Sequence, residues 1–375
     1  MGNTSRTFLL GAGFSKAVAD GPIMKELWCH IEKAYEKERS RTDVSPEDKE
    51  LRVNWFNNLN KFMTKLEEEA IRRFNQYNFD NVHVEIKENL EYLFTLIDLH
   101  LEGPNIRFEK KGSHIEPYPA IPLPFTSKTE LEGIRNVLRT YFYLVFVKLE
   151  GNILAKKFSK IINPNDDIIT FNYDLVLEKA LLSSGIWSPL DGYVGLSKFE
   201  CDGDRKWLEK RNKYSKLKIH KMHGSISWRG RGKRQLESLY KDDDIMIVMD
   251  ERENQKSHFY GLLDRTPVKI KQGYVGGHEP ECMLPSFIKP FERKEFYEIW
   301  QSAIKVISET GELVIIGYSF RPEDSNAFLL LSTLPQKCNI LLVDPHPEEI
   351  KERLENKGFK VEKTFKSLKD YLAGK

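Results

Sequence analysis

A short apolar run that ends in glycines is the feature that most constrains this chain. Thr7-Phe8-Leu9-Leu10 is followed directly by Gly11-Ala12-Gly13-Phe14-Ser15. A buried strand that stops at such a segment turns tightly into a helix, where backbone N–H groups allow a phosphate to approach closely. The segment therefore predicts the first strand of a nucleotide-binding α/β fold. On local grounds, a glycine turn needed only for a tight bend remains the alternative.

Buried strands recur later in the chain, and most are followed by a helical pattern. Strands alternating with helices imply right-handed crossovers and a parallel sheet. We therefore predict an α/β fold with a doubly wound parallel sheet of the Rossmann type. The later predicted strands are Asp167–Phe171, Leu217–Met222, Glu312–Gly317 and Asn339–Val343.

The long gap between the first two strands has helical periodicity. Two apolar faces repeat every three to four residues, one over residues 90–101 and one over residues 131–145. They predict a helical module, residues 25–150, inserted into an α/β domain that residues 1–24 and 151–375 form. A separate helical domain beside a short N-terminal strand is the alternative. Their apolar positions are Leu90, Leu93, Phe94, Ile97 and Leu101, and Leu131, Ile134, Val137, Leu138, Tyr141 and Val145.

Three further segments read as loops or polar insertions. The proline-rich stretch from Pro117 to Pro124 predicts a loop, and a polar insertion runs from about Ser197 to Lys216. Another insertion follows His223 and contains the basic stretch 229–234. A basic stretch is typical of a solvated loop, and contact with nucleic acid is the less favoured reading.

Two polar residues at predicted strand ends are the candidates for chemistry. Asn172 follows the second strand, and His223 ends the third and precedes a glycine. Because the carboxyl ends of parallel strands share one edge of the sheet, we expect both side chains at one cleft. An amide binds a hydroxyl and a water together, and an imidazole titrates near neutral pH, which suits a general base. In local terms, Asn172 is equally suited to an Asx turn.

Two neighbouring residues compete with these candidates or flank them. His220 lies three residues before His223, on the opposite face of the strand, and is the less favoured histidine. Asp174 precedes a predicted helix that begins near Leu175, so capping is its first expected role.

Composition narrows the classes of protein and site. The 375 residues carry 58 Lys and Arg against 56 Asp and Glu, a balance that does not indicate a nucleic-acid binder. The four cysteines are scattered, with no Cys-x-x-Cys pair, so we expect no zinc ribbon and no bound metal. The first residues lack the apolar core of a signal peptide, and no apolar run is long enough for a membrane span. We therefore expect a cytoplasmic protein that does not enter a membrane.

Taken in order, the motifs resemble those of the sirtuin family. The resemblance lies in four segments, Gly11–Ser15, Thr170–Asp174, His223-Gly224 and Gly317–Ser319. Of these, Thr170-Phe171-Asn172-Tyr173-Asp174 is similar to the sirtuin Thr-Gln-Asn-Ile-Asp. It implies NAD as substrate, a catalytic water and the nicotinamide ribose beside Asn172, and His223 as general base. Asp344 stands where sirtuins carry a strand-end Asn that meets the adenosine half. The residues implied to bind NAD are Gly11, Ala12, Gly13, Phe14, Ser15, Asn172, Asp174, Gly317, Tyr318, Ser319 and Asp344.

Departures from the sirtuin pattern point to one branch of the family. The zinc module is absent, and 51 residues separate Asn172 from His223, more than in ordinary sirtuins. Both features resemble the NAD-hydrolysing proteins of bacterial antiphage defence. The resemblance implies an NAD+ glycohydrolase that depletes NAD, as a homo-oligomer or with a partner ATPase or nucleic-acid-guided protein. An NAD-dependent protein deacylase and a catalytically silent NAD- or ADP-ribose-binding subunit remain the alternatives.

Overall fold

The computed structural model describes residues 5–40, 42, 46–76, 87, 90, 91, 93–95, 97, 128–147, 149–189, 191–196, 198–202, 216–230, 245–250, 280–282, 294–320 and 325–374. Strands and helices alternate along much of this chain. In chain order the named elements are β1 (Arg6–Leu10), α1 (Ala12–Ala19), α2 (Met24–Arg39), α3 (Pro46–Gln76), α4 (Lys128–Val147), α5 (Ile153–Ile161), β2 (Asp167–Thr170), α6 (Val176–Ser184), β3 (Lys198–Asp202), β4 (Lys218–Lys221), β5 (Gly224–Gly230), β6 (Ile245–Asp250), β7 (Pro280–Cys282), α7 (Lys294–Glu309), β8 (Glu312–Ile316), α8 (Ser325–Leu331), β9 (Asn339–Val343), α9 (Pro347–Glu355), β10 (Val361–Phe365) and α10 (Leu368–Ala373).

The main sheet has six strands in the order β10-β9-β8-β1-β2-β4, and every pair is parallel. Its centre is apolar on both faces, since Phe8, Leu9 and Leu10 of β1 are all 0% exposed. Parallel strands covered by helices on both faces have this near-continuous apolar character. The predicted doubly wound α/β fold is therefore confirmed.

The order of the strands reverses at β1. The chain runs from β1 to β2 and β4 on one side, then begins again at β8 on the other side of β1. In open α/β sheets, ligands bind outside the carboxyl ends of the strands at such a switch point. Here the switch point lies between the carboxyl ends of β1 and β8, where Gly11 and Gly317 stand.

Helices α2, α3 and α4 lie between β1 and β2 in sequence and pack against one another. Tyr35 of α2 stacks on Phe56 of α3 at a centroid distance of 3.8 Å, and Phe56 meets Tyr141 of α4 edge to face at 5.4 Å. The two apolar faces expected from the sequence are buried at their described positions, over residues 90–97 and 131–145. Leu101 and the segment from Pro117 to Pro124 lie outside the described residues.

The chain leaves and re-enters the α/β fold at adjacent points. The backbone N–H of Asn152 donates to the carbonyl oxygen of Val18 at 2.7 Å, and its Nδ2 donates to that of Ala17 at 3.1 Å. The same side chain accepts a hydrogen bond from the N–H of Leu154 and so caps α5. These hydrogen bonds join the two ends of the segment between Val18 and Asn152.

A second sheet was not predicted from the sequence. Strands β3, β6, β5 and β7 form a four-stranded sheet in that order, in the region that the sequence reads as polar insertions. The main sheet also has an unpredicted edge strand, β10, whose Glu362 and Lys363 are exposed. Edge strands need no continuous apolar run, so their sequence signal is weak. The residues from 231 to 244, which include most of the basic stretch, lie outside the described residues.

Candidate active site

Five candidate residues follow one another along the carboxyl edge of the main sheet. Asp344, Gly317, Gly11, Asn172 and His223 stand just beyond β9, β8, β1, β2 and β4, in the spatial order of those strands. Neighbouring strands lie about 4.8 Å apart, so the row spans roughly 19 Å. The fold thus assembles, in one line, residues that are far apart in sequence.

The glycine turn after β1 packs directly on the turn after β8. A Cβ on Gly11 would come 2.4 Å from the carbonyl oxygen of Gly317, and one on Gly13 would come 2.6 Å from the Cα of Gly317. The N–H of Gly11 donates to Ile316 O at 3.0 Å, and that of Gly13 donates to Gly317 O at 2.9 Å. These glycines therefore have a packing role in addition to any role toward a ligand.

The exposed part of this turn is the N-terminus of α1. Ala12 is exposed and Gly13 half-buried, whereas Gly11 and Phe14 are buried. Phe14 packs on Phe158 of α5 at a centroid distance of 4.9 Å, which anchors the helix to the core. A helix N-terminus with small residues at its surface favours an anionic group.

Ser15 and Asp174 join the turn after β1 to the turn after β2. The Ser15 hydroxyl donates to Asp174 Oδ2 at 2.6 Å, and Asp174 Oδ1 accepts from the N–H of Val176 at 3.0 Å. Both side chains are buried, so their described hydrogen bonds are internal to the protein. Asp174 thus bonds the first residue of α6, but it lies one position before the N-cap, Leu175, so the expected N-cap role is shifted by one residue.

Asn172 is fixed by one hydrogen bond and keeps an acceptor for another. Its Nδ2 donates to Gly11 O at 2.8 Å, and the side chain is 8% exposed. Within the described residues, its Oδ1 accepts no hydrogen bond. An amide oxygen held in place beside the glycine turn is suited to accept a hydrogen bond from a ligand hydroxyl or a water.

His223 lies in an aromatic setting beside Asn172. The ring of Phe171 meets its imidazole edge to face at 5.1 Å, and the ring of Tyr173 stacks on it at 5.8 Å. The Tyr173 hydroxyl lies 3.4 Å from Nδ1. Trp300 of α7 donates from Nε1 to the carbonyl oxygen of Met222 at 3.2 Å, which holds the chain just before His223.

His220, the competing histidine, is a core residue. It is 1% exposed, its Nδ1 lies 3.3 Å from the carbonyl oxygen of Ile168, and its Nε2 lies 3.0 Å from the Ser302 hydroxyl. Burial lowers the pKa of His220 to about 4, with the hydrogen bond to Ile168 opposing the shift. A neutral ring in this position donates from Nδ1 to the carbonyl and accepts at Nε2 from the hydroxyl. Its environment is structural.

A buried ion pair lies beneath the site and was not predicted. Lys221 Nζ lies 2.7 Å from Glu178 Oε1, and both side chains are 1% exposed. Lys221 Nζ also donates to Asp174 O at 2.7 Å, and the Tyr193 hydroxyl donates to Glu178 Oε1 at 3.1 Å. The end of β4, which leads to His223, is thereby tied to the turn that carries Asn172.

The remaining candidates lie on the β8 and β9 side of the row. Tyr318 is buried and stacks on Phe171 at 4.5 Å, whereas Ser319 is exposed. Asp344 is half-buried, its Oδ1 accepts from the N–H of His346 at 2.9 Å, and burial raises its pKa. Asp344 therefore forms an Asx-type turn at the far end of the row from His223.

The structure describes no group of His, Cys, Asp and Glu residues arranged to hold a metal ion, over the residues it covers. Likewise, none of its described helices is long and apolar enough to cross a membrane.

A parallel sheet with a glycine turn at its switch point and polar residues along its carboxyl edge defines a nucleotide-binding α/β protein. The model of the SIR2-like domain matches residues 166–361, just over half of the chain. The protein therefore belongs to the SIR2-like family. Members of this family are NAD-dependent enzymes, so its activity is NAD-related. No curated protein matches the chain.

Proposed function

We propose that the protein is an NAD+ glycohydrolase, which cleaves NAD+ to nicotinamide and ADP-ribose. The observation that carries the proposal is the placement of Asn172 and His223, each two residues beyond the paired strand ends Thr170 and Lys221 of β2 and β4. A fixed amide and an imidazole side by side supply the two functions that hydrolysis of an N-glycosidic bond needs, namely orientation of the ribose and water and removal of a proton.

In the proposed reaction, the bond between the ribose C1′ and the nicotinamide nitrogen breaks, and nicotinamide leaves as a neutral base. A water adds to C1′ and gives its proton to His223. Asn172 Oδ1 accepts a hydrogen bond from the water or a ribose hydroxyl. The exposed N-terminus of α1 at Ala12 and Gly13 is the proposed place for the pyrophosphate, and Asp344 the proposed partner of the adenosine half.

We further propose that the enzyme acts in antiphage defence by depleting NAD and that its assembly controls it. A cytoplasmic enzyme that freely consumed NAD would kill its host, so activity must depend on oligomerisation or on a partner such as an ATPase or a nucleic-acid-guided protein. Residues 25–150 are the proposed insertion into the domain of residues 1–24 and 151–375. Tied at its base through Asn152, this insertion is well placed to transmit such control.

The test is an assay of the purified protein with NAD+, over a range of protein concentrations, with nicotinamide and ADP-ribose quantified. His223→Ala should lose about 10²–10⁴ in rate with NAD binding retained. Asn172→Ala should also lose turnover and bind the ribose more weakly. His220→Gln is the matched control and should keep its activity at neutral pH, because His220 is buried away from the cleft.

Three results would contradict the proposal. Transfer of an acetyl group from an acetylated peptide, measured in parallel, would indicate a deacylase. NAD binding without nicotinamide release at every concentration would indicate a silent binding subunit. Normal turnover in His223→Ala would remove His223 from the mechanism.

A further inference from the structure

Tyr173 contacts the candidate base directly. It follows Asn172 in the turn after β2 and is 9% exposed. Its hydroxyl lies 3.4 Å from His223 Nδ1, and its ring stacks on the imidazole with an angle of 30° between the planes. This is a long hydrogen bond supported by ring packing, so both the position and the rotation of the imidazole depend on Tyr173.

The other side of Tyr173 packs on the helical segment. Phe142 of α4 meets the Tyr173 ring edge to face at 4.8 Å, and Phe146 of the same helix lies at 5.9 Å. Phe142 is 1% exposed and also contacts Phe94 at 6.2 Å, within the other apolar face of the helical segment. Tyr173 thus contacts both α4 and the imidazole.

We propose that Tyr173 is a positioning residue for His223 and that α4 sets its position. This inference rests on the proposed role of His223 as general base. The Nδ1–H of the neutral ring donates to the Tyr173 oxygen, which places the ring proton on Nδ1 and makes Nε2 the basic nitrogen. The sirtuin motif that this segment resembles has Ile at the corresponding position, and Ile has no hydroxyl.

The arrangement couples the helical segment to the chemistry. A shift of α4 that moves Phe142 and Phe146 displaces the Tyr173 ring, and the imidazole loses its fixed tautomer and orientation. Since a base must be held within a fraction of an ångström of its working geometry, a small shift is enough to lower the rate. Assembly contacts that move α4 then change the rate without touching the substrate.

The first measurement is the ¹⁵N chemical shifts of the imidazole nitrogens in full-length protein with labelled histidine. His223→Gln identifies the His223 signals, and alkaline pH keeps an ordinary imidazole neutral. The wild type should have its proton on Nδ1, and Tyr173→Phe should lose that preference while retaining the ring packing. Tyr371→Phe, at a buried tyrosine that packs on Phe365 in the C-terminal region, should leave the His223 signals unchanged.

A proton on Nε2 in the wild type, or unchanged His223 signals in Tyr173→Phe, would overturn the positioning role. Phe142→Leu tests the part assigned to α4 and should shift the same signals in the same direction. If the His223 signals of Phe142→Leu were the same as in the wild type, α4 would have no role in positioning the imidazole. These results do not require turnover, so they decide the inference even if the wild type cleaves no NAD.

The second measurement is of kcat and KM for NAD+, which distinguishes an effect on catalysis from an effect on substrate binding. Tyr173→Phe should lower kcat about tenfold, as expected for the loss of one neutral hydrogen bond, with KM unchanged. A rise in KM at unchanged kcat would mean that Tyr173 contacts the substrate instead of positioning the base.

Discussion

Removal of one member of the buried pair of Lys221 and Glu178 should strongly destabilise the fold. Both side chains are 1% exposed, and their charged atoms lie 2.7 Å apart. Burial raises the pKa of Glu178, and the positive charge of Lys221 opposes this shift. Lys221→Met keeps the length and apolar stem of the side chain but removes the charge and the hydrogen bond to Asp174 O.

The expected magnitude follows from this burial. In Lys221→Met, Glu178 is left without its counter-charge, and breaking a buried pair in this way costs about 3–5 kcal/mol. A domain is stable by only about 5–15 kcal/mol, so the loss is a large fraction of the total. The double variant Lys221→Met/Glu178→Gln carries neither charge. It should therefore be less destabilised than the sum of the two single variants, by up to about 3 kcal/mol.

Urea denaturation of the four proteins in this cycle measures the effect, with the midpoint and slope of each curve giving the free energy of unfolding. Lys351→Met is the matched control, since Lys351 pairs with Glu355 at 3.9 Å on the surface. Its cost should be below about 1 kcal/mol. A loss of less than about 1 kcal/mol in Lys221→Met, or additive single variants, would refute the reasoning.

Three further predictions concern the glycine turn, the buried histidine and assembly. Gly317→Ala should destabilise the fold by several kcal/mol, because φ is +60° and a Cβ would lie 2.4 Å from the backbone of Gly13. Gly358→Ala is the control, since Gly358 has a φ of +88° and open space where the Cβ would lie; it should cost only about 1–2 kcal/mol. Thermal unfolding compares the two variants, and equal losses of stability would contradict the clash at Gly317. The pKa of His220 is lowered to about 4, so between roughly pH 6.5 and pH 4 only the unfolded state takes up the proton. The free energy of unfolding therefore decreases as the pH is lowered through this range, by at most about 3.4 kcal/mol. His220→Gln should remove this fall in denaturation series across that range; an unchanged slope would assign it to other groups. Light scattering combined with activity assays should show an oligomer whose rate drops on dilution, and a monomer equally active at every concentration would exclude control by self-assembly.

Part of the candidate site was visible in the sequence because it lies at the ends of apolar strands. Asn172 and His223 stand out there as polar residues after buried runs. The neighbouring residues Tyr173 and Lys221 do not stand out in the sequence, which contains many other aromatic and charged residues. Only the folded chain shows that one contacts the imidazole and that the other is buried with Glu178.

The sequence by itself determined the main sheet, because a strand buried on both faces needs a continuous apolar run, and such runs are local. β1, β2, β8 and β9 were predicted in this way, and β4 was predicted from its alternating apolar residues. β10 was missed, because exposed charged residues interrupt its apolar positions. Only the tertiary structure decided what the glycines contact. Gly11 and Gly13 meet Gly317, some three hundred residues later, because β1 and β8 are neighbours in the sheet. A local sequence pattern indicates which faces of a strand are buried. Which residues it contacts in the fold depends on the order of the strands, and the packing of the whole chain determines that order.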